Sequence, residues 1–342
     1  MSFRLIVSLA FLSVHLLGNS TDLSDVGPMR VQSLEFAGLV DKARGDRRVP
    51  VKVHYPDATG PFPVIVVSHG AGGNWDTHLA QIRHLVSHGY VALSVEHVGS
   101  NTEKLRQTGI SLRSLTQMIY DAGEVIARPV DIHFVIDQAQ EWNRGDATLK
   151  GRMNLGNLGM LGHSFGAYTT MVIGGMRPAL DWIRPILGSG KGLGPDLRDG
   201  RVRCGVALSP QGANEPFFHE KSFASLRMPL MGISGTLDRQ QNELPAETRY
   251  QAFDYWPTAQ GQHRFVWLAN AKHLDFTDSS GSGQIARPSP TRADVQPLVK
   301  AATLIYFDAC LRDDRSALAA LNAEGLRPYL RGAVNSVEVK SK

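Results

Sequence analysis

Two cysteines stand in 342 residues, too few for a disulfide-built scaffold, and no Cys-x-x-Cys pair exists to hold zinc or exchange electrons. The chain also lacks a block of like charge. Its 36 Lys and Arg face 32 Asp and Glu, and the net charge of +4 is spread along the sequence. That excludes a basic arm or acidic tail, and no nucleic-acid partner is expected. Gly 34 and Pro 18 are ordinary usage, which excludes collagen-like and low-complexity chains. Internal repeats and heptads are absent too. The apolar stretch Leu5–Leu17 runs for about 13 residues, against the roughly 20 that a membrane-spanning helix needs, so no stable membrane span is expected. What is present is 42% hydrophobic residues, enough to supply a large buried core.

Arg4, the apolar run Leu5–Leu17 and the small residues Gly18-Asn19-Ser20 have the order of a secretory signal peptide. Residues 1–20 are therefore expected to be removed on export to the periplasm or the outside, leaving 21–342 as one domain; without a functioning signal the protein would be cytoplasmic. Cys204 opens an expected core strand and Cys310 sits in an expected late helix. Both are read as buried thiols, and a single staple between them stays open for an exported chain.

Short β-branched runs alternate with helical stretches. Val31–Val40 and Val49–Tyr55 read as strands joined by the polar turn Asp41–Arg48, a hairpin. Further strands are expected at Val64–Val67, Val91–Val95, Leu155–Leu161, Gly205–Leu208, Leu230–Ser234 and Phe265–Leu268. The 3.6-residue period places helices at Leu79–His88, Val130–Trp142, Phe165–Met176, Ala246–Trp256 and Val295–Leu311. Strands alternating with helices imply a doubly wound α/β sheet with right-handed crossovers. Two stretches exceed a minimal unit, near 99–128 and 177–202, and segments of that length often act as lids. Within the first, Leu112, Leu115, Met118 and Ile119 recur at helical spacing, a lid or, the favoured reading, core.

Gly162-His163-Ser164-Phe165-Gly166 follows one expected strand and opens one expected helix. That is the setting of a nucleophile elbow, a tight turn that exposes Ser164 at the carboxyl edge of the sheet. A serine hydroxyl needs a base to take its proton. Of the downstream histidines, His219 lies in a polar loop and His263 begins a strand, whereas His273 follows the last expected strand by a few residues. Sites of open α/β sheets lie beyond the carboxyl ends of strands, which favours His273. Asp238, just past Leu230–Ser234, is the carboxylate placed to orient the imidazole; Asp254 and Glu243 are its rivals. The order Ser164…Asp238…His273 is that of the α/β-hydrolase fold. The oxyanion hole is expected from the backbone N–H of Phe165 and of Ala71, in Ser68-His69-Gly70-Ala71-Gly72-Gly73. No lysine follows that loop as it would in a P-loop, and no cofactor is expected. His84 and His88 lack the glutamate of a zinc-protease helix, so no metal is expected either. Trp75 and His163 are candidates for the substrate pocket; His69 and His163 also suit a role in holding loop geometry.

These motifs, with Ser87-His88-Gly89-Tyr90-Val91, Gly99-Ser100-Asn101, Arg128-Pro129-Val130-Asp131 and Ala271-Lys272-His273-Leu274-Asp275-Phe276, resemble the bacterial dienelactone-hydrolase-like α/β hydrolases and, beyond them, the platelet-activating factor acetylhydrolases. The resemblance covers Val31 to Leu311 and implies a cofactor-free serine esterase acting on short or soluble acyl esters. Two departures stand out. Dienelactone hydrolases use a cysteine where Ser164 stands, and the acetylhydrolases place their acid after the sixth strand, where this chain reads Ala207-Leu208-Ser209-Pro210. A phospholipid-directed acetylhydrolase, an esterase for polyester or phthalate-type substrates, and acyl transfer to an alcohol remain alternatives. So does a hydrolase-fold protein that binds a small-molecule or lipid-like ester without turnover.

Overall fold

The computed structural model describes residues 22–179, 192–213, 217–239, 244–259, 262–278 and 289–342. The expected signal segment, the middle of the 177–202 stretch and Glu243 lie outside the described residues. Nine strands build one sheet: β1 (Val31–Phe36), β2 (Val51–Pro56), β3 (Phe62–Ser68), β4 (Val91–Val95), β5 (Met153–His163), β6 (Val202–Leu208), β7 (Leu230–Leu237), β8 (Arg264–Lys272) and β9 (Val337–Ser341). Their spatial order is β1-β2-β4-β3-β5-β6-β7-β8-β9. The run from β4 to β8 is parallel, while β1, β2 and β9 join antiparallel at the edges. The fold is mixed α/β around a large, mostly parallel sheet.

Strand composition explains the layering. Val64 and Val66 of β3 point to one face, and Ile65 and Val67 to the other, because side chains alternate along a strand. The first helices in chain order are α1 (Leu79–Ser87), α2 (Thr102–Thr108), α3 (Leu112–Ile119), α4 (Ala122–Gly145) and α5 (Phe165–Ile173). On the first face Val64, Val66, Leu93 and Met160 pack with Val125, Ile132 and Ile136 of α4 and Tyr168 and Met171 of α5. On the second face Ile65, Val67, Val206 and Ile233 meet Ile82 and Leu85 of the helix Leu79–Ser87 and Val295 and Leu298 of the helix Arg292–Leu311. Two covered faces require apolar residues at every position, hence the continuous runs.

Several boundaries differ from expectation. Helix α4 begins at Ala122, eight residues before Val130. Pro129 signals a helix start, yet Asp121 already caps Gly123 and Glu124 through its carboxylate, and Val125 and Arg128 are buried against the sheet. Packing outweighs the lost hydrogen bond at proline. The long stretch near 99–128 is helical, with segments Thr102–Thr108 and Leu112–Ile119 before α4. It is bound to the glycine loop: Gly72 N–H donates to the Ser100 carbonyl at 2.8 Å and Thr102 N–H to that of Gly73 at 2.7 Å. Met118 and Ile119 are buried, as a core reading requires, but Leu112 is 72% exposed. Periodicity assigned nothing beyond Leu311, where the structure adds the helix Arg315–Ala320 and the edge strand β9. Among the described residues no helix is long and apolar enough to cross a membrane.

The expectation of two free thiols is corrected. Cys204 of β6 and Cys310 of the helix Arg292–Leu311 form a disulfide, with Cα atoms 6.4 Å apart and a sequence separation of 106. Because the helix packs directly over the strand, two thiols distant in sequence face each other. A cross-link closing so long a loop stabilises mainly by restricting the unfolded chain, typically by about 2–4 kcal/mol. Reduction, or Cys310→Ser, should lower the melting temperature by several degrees in thermal denaturation; identical melting with and without reductant would contradict a contribution from this bond.

Candidate active site

Ser164 stands between β5 and α5 with φ 54° and ψ −116°, a left-handed conformation that a non-glycine residue adopts only when its surroundings enforce it. The enforcement is visible. Ser164 N–H donates to the Leu208 carbonyl at 2.9 Å, and its own carbonyl accepts from Tyr168 N–H at 3.0 Å and from Gln211 Nε2 at 2.9 Å. A Cβ on Gly162 would run into the Gly166 carbonyl, and one on Gly166 into the Ser68 carbonyl. Only glycine fits at either place.

The elbow aims Ser164 Oγ at His273 Nε2, 3.0 Å away, and His273 Nδ1 lies 2.8 Å from Asp238 Oδ1. An ionised carboxylate can only accept, so Nδ1–H donates to Asp238 and Nε2 is left to accept from the serine hydroxyl. His273 begins a short helical turn after β8. Its carbonyl accepts from His163 Nε2 at 3.0 Å, and the buried Asp275 ties the turn to Lys272 N–H and Thr291 Oγ1.

Asp238 is fully buried beyond β7. Its Oδ2 accepts from Ser209 Oγ and, at 2.7 Å, from Ser234 Oγ. Arg249 Nε lies 3.4 Å from Oδ1 and donates to the Asp238 carbonyl at 3.0 Å. Burial alone would raise this carboxyl, but Arg249, His273 and the Ser209 hydroxyl together hold it well below the usual carboxylate range. Asp238 therefore remains an anion opposite His273. Ser209, Ser234 and Arg249 were not singled out in the sequence. The rival Asp254 meets Lys340 Nζ at 3.2 Å on the surface, and the buried His263 accepts the Leu230 N–H at Nδ1.

The N–H groups of Ala71 and Phe165 have no acceptor among the described residues. The glycine loop passes close to the serine: a Cβ on Gly70 would lie 3.5 Å from Ser164 Cβ. Of the two other pocket candidates, His163 lies beside the triad, its ring centroid 4.8 Å from that of His273. His163 is 3% exposed and supports the His273 backbone. Trp75 is half-buried, with Lys52 Nζ 5.9 Å from its ring centroid and its carbonyl bonded to Ser94 Oγ, contacts that lie toward β2 and β4. Among the described residues no group of three or more metal-ligating side chains gathers.

No family model matches the chain. Over 270 residues it is 27% identical to platelet-activating factor acetylhydrolase of Cavia porcellus, a match covering 68% of this chain and 52% of the other. The likeness supports a hydrolase family. The match spans about half the length of that curated relative.

Two residues beyond the His273 turn, the buried Asp278 accepts from Ala80 N–H at the start of the helix Leu79–Ser87. Burial pushes its carboxyl up to about 6, with the backbone donors of Ala80 and the Lys300 and Arg292 charges opposing. An unfolded carboxyl titrates near 3.9, so the folded chain holds this proton longer. Stability drawn from the group is present at low pH and falls as pH rises through that interval. Asp278→Asn cannot titrate yet still caps the helix. Its melting temperature relative to wild type should be higher at pH 7.5 than at pH 4.5, and a difference independent of pH would contradict the assignment.

Proposed function

We propose that this protein is a serine carboxylic ester hydrolase of the α/β-hydrolase fold, acting on short or soluble acyl esters. The observation that carries the reading is the hydrogen-bonded relay from Ser164 through His273 to Asp238, with links of 3.0 and 2.8 Å, on a left-handed turn. In this mechanism Ser164 Oγ attacks the ester carbonyl as His273 Nε2 removes its proton. The imidazolium is stabilised by Asp238 and returns the proton to the departing alkoxide. Water, deprotonated by the same nitrogen, then attacks the acyl-enzyme; the bond to Ser164 Oγ breaks, the imidazolium returns its proton to that oxygen, and the acid is released. The negative oxygen of each tetrahedral intermediate would lie against the N–H groups of Ala71 and Phe165, at the amino end of α5.

A second reading has its own support. The relative from Cavia porcellus is named a platelet-activating factor acetylhydrolase, which favours acetyl esters of lipid-like alcohols. Against it stands the carboxylate's position after β7, with Ser209 at the end of β6. Hydrolysis of p-nitrophenyl esters of increasing acyl length addresses both readings. Ser164→Ala should lower kcat by about 10⁶-fold and Asp238→Asn by about 10⁴-fold, and a sharp preference for acetyl would favour the acetylhydrolase. Equal rates in wild type and Ser164→Ala would refute the nucleophile. Methanol or glycerol in the assay distinguishes acyl transfer, which would yield new ester products.

Export fits the same picture. The Cys204–Cys310 bond belongs to oxidising compartments, and the amino-terminal residues have signal-peptide order. The mature protein recovered from a secreting host should begin near residue 21 by intact mass. An uncleaved chain retained in the cytosol would argue against export.

A further inference from the structure

Beneath the glycine loop lies a sealed cluster of polar and charged side chains that the proposed reaction does not touch. At its centre Arg128 of α4 is fully buried. Its Nε donates to Thr169 Oγ1 at 3.1 Å, Nη1 to Ser100 Oγ at 2.8 Å, and Nη2 to Ser68 Oγ at 3.1 Å and to the His69 carbonyl. The guanidinium carbon lies 4.4 Å from the centroid of the Phe165 ring. Among the described residues no carboxylate pairs with it directly. The countercharges stand one side chain further out: Ser100 Oγ donates to Glu124, and His97, bonded to Ser68 Oγ at 2.9 Å, donates to Asp131. Arg47 links Glu124 and Asp131 from the outer side.

Burying a cation without a contacting anion is costly, and apolar packing of the same volume is often the more stable solution. Burial pushes the Arg128 guanidinium down to about 9, though Glu124 and Asp131 oppose the shift, so it stays charged at neutral pH. The Ser68–His97–Asp131 chain has the composition of a catalytic relay, but Ser68, His97 and Asp131 are all closed to solvent. No substrate reaches it, and its role must be exerted through neighbours.

Those neighbours are the two stretches of backbone that carry the candidate oxyanion donors. On one side Arg128 holds the His69 carbonyl. The His69 ring accepts the His97 N–H at Nε2, 3.1 Å away, which leaves Nδ1–H to donate to the Gly70 carbonyl at 2.6 Å. Gly73 N–H reaches the same carbonyl at 3.1 Å. A trans peptide is planar with its C=O and N–H opposed, so clamping the Gly70 oxygen fixes the direction of the Ala71 N–H. On the other side Arg128 covers the Phe165 ring and bonds Thr169 Oγ1, which itself donates to the Phe165 carbonyl at 2.9 Å. One rigid planar group thus bridges the two stretches that carry the donors.

We propose that Arg128 is a positioning residue for the oxyanion hole, setting the separation and direction of the Ala71 and Phe165 N–H groups through the His69 carbonyl, the Phe165 ring and Thr169. The inference rests on the serine-hydrolase reading. Oxyanion donors act only within about 2.7–3.1 Å of the charge that develops in the transition state. Loss of the clamp should therefore lower turnover and leave ester binding little changed.

The test compares wild type, Arg128→Lys and Thr169→Val on p-nitrophenyl acetate. It adds inhibition by an alkyl trifluoromethyl ketone, which Ser164 converts to a hemiketal whose oxygen occupies the hole, labelling by a fluorophosphonate, and thermal melting. Lysine keeps the charge but cannot span both sides, so kcat should fall by about 10²-fold, the cost of one lost donor. KM should change by less than about threefold, and affinity for the trifluoromethyl ketone should fall in parallel with kcat. Thr169→Val removes one arm of the clamp at constant shape and should show the same pattern at about a tenth of the effect; it decides the matter alone if Arg128→Lys does not fold. A folded variant with wild-type kcat, or with reduced kcat and unchanged trifluoromethyl ketone affinity, would overturn the inference while leaving the hydrolase reading intact. A wild type that neither turns over nor labels at Ser164 would overturn both.

Discussion

Everything at the candidate site depends on one backbone conformation, the left-handed turn at Ser164. A φ of that sign drives a side chain out of the line of the strand and lifts its hydroxyl above the sheet edge. L-residues resist it by about 1–2 kcal/mol, so the turn survives only because the chain is closed around it. The Gly166 position lies against the Ser68 carbonyl, and the Gly162 position against the Gly166 carbonyl. The strain, the two glycines and the neighbouring strand β3 form a single steric unit. The Ser68 carbonyl at the end of β3 bounds the turn, so the buried valines on both faces of that strand bear on the site as well as on stability.

The carboxylate side shows a second constraint. An anion withdrawn from water needs its lone pairs filled, and Asp238 receives His273, Ser209 and Ser234, with Arg249 beside it. Ser209 comes from the end of β6 and itself has a φ of 52°, so the adjacent strand end contributes a hydroxyl to the acid. Arg249 reaches across to the Ser209 and Pro210 carbonyls as well. It holds the ends of β6 and β7 together by the same side chain that keeps Asp238 ionised.

Much of this was legible because it is local. Strand–turn–helix patterning around Ser164, and the location of Asp238 and His273 just past apolar runs, placed all three at one edge, and their side chains meet there. The alternation of strands and helices gave the layered α/β class. What stayed hidden is what only tertiary contact creates. Arg249 and Arg128 sit in ordinary helical stretches, and nothing in their neighbours signals partners 40 to 60 residues away. Pro129 hid the true start of α4 because a proline breaks a helix by local rules while burial of Val125 and Arg128 sustains it. Two cysteines 106 residues apart carry no pairing signal until the helix is laid over its strand. The edge strand β9 was missed for the opposite reason: half-exposed, with charged residues alternating, it needs β8 to exist.

The hidden part also has a consistent chemical character. The readable residues are the three that meet at the strand ends, whereas Arg128 and Arg249 are buried and donate to backbone carbonyls. A reacting group must be exposed at a strand end, so its position is constrained by fold topology and shows in the pattern. A group that orients a peptide need only lie within hydrogen-bond reach, and it can come from any element packed nearby. Charged side chains suit that task in a dry interior, because hydrogen bonds from an ionised donor are stronger than neutral ones and low polarity amplifies them. Desolvating such charges opposes folding, and their hydrogen bonds tie down the backbone beside Ser164 and Asp238.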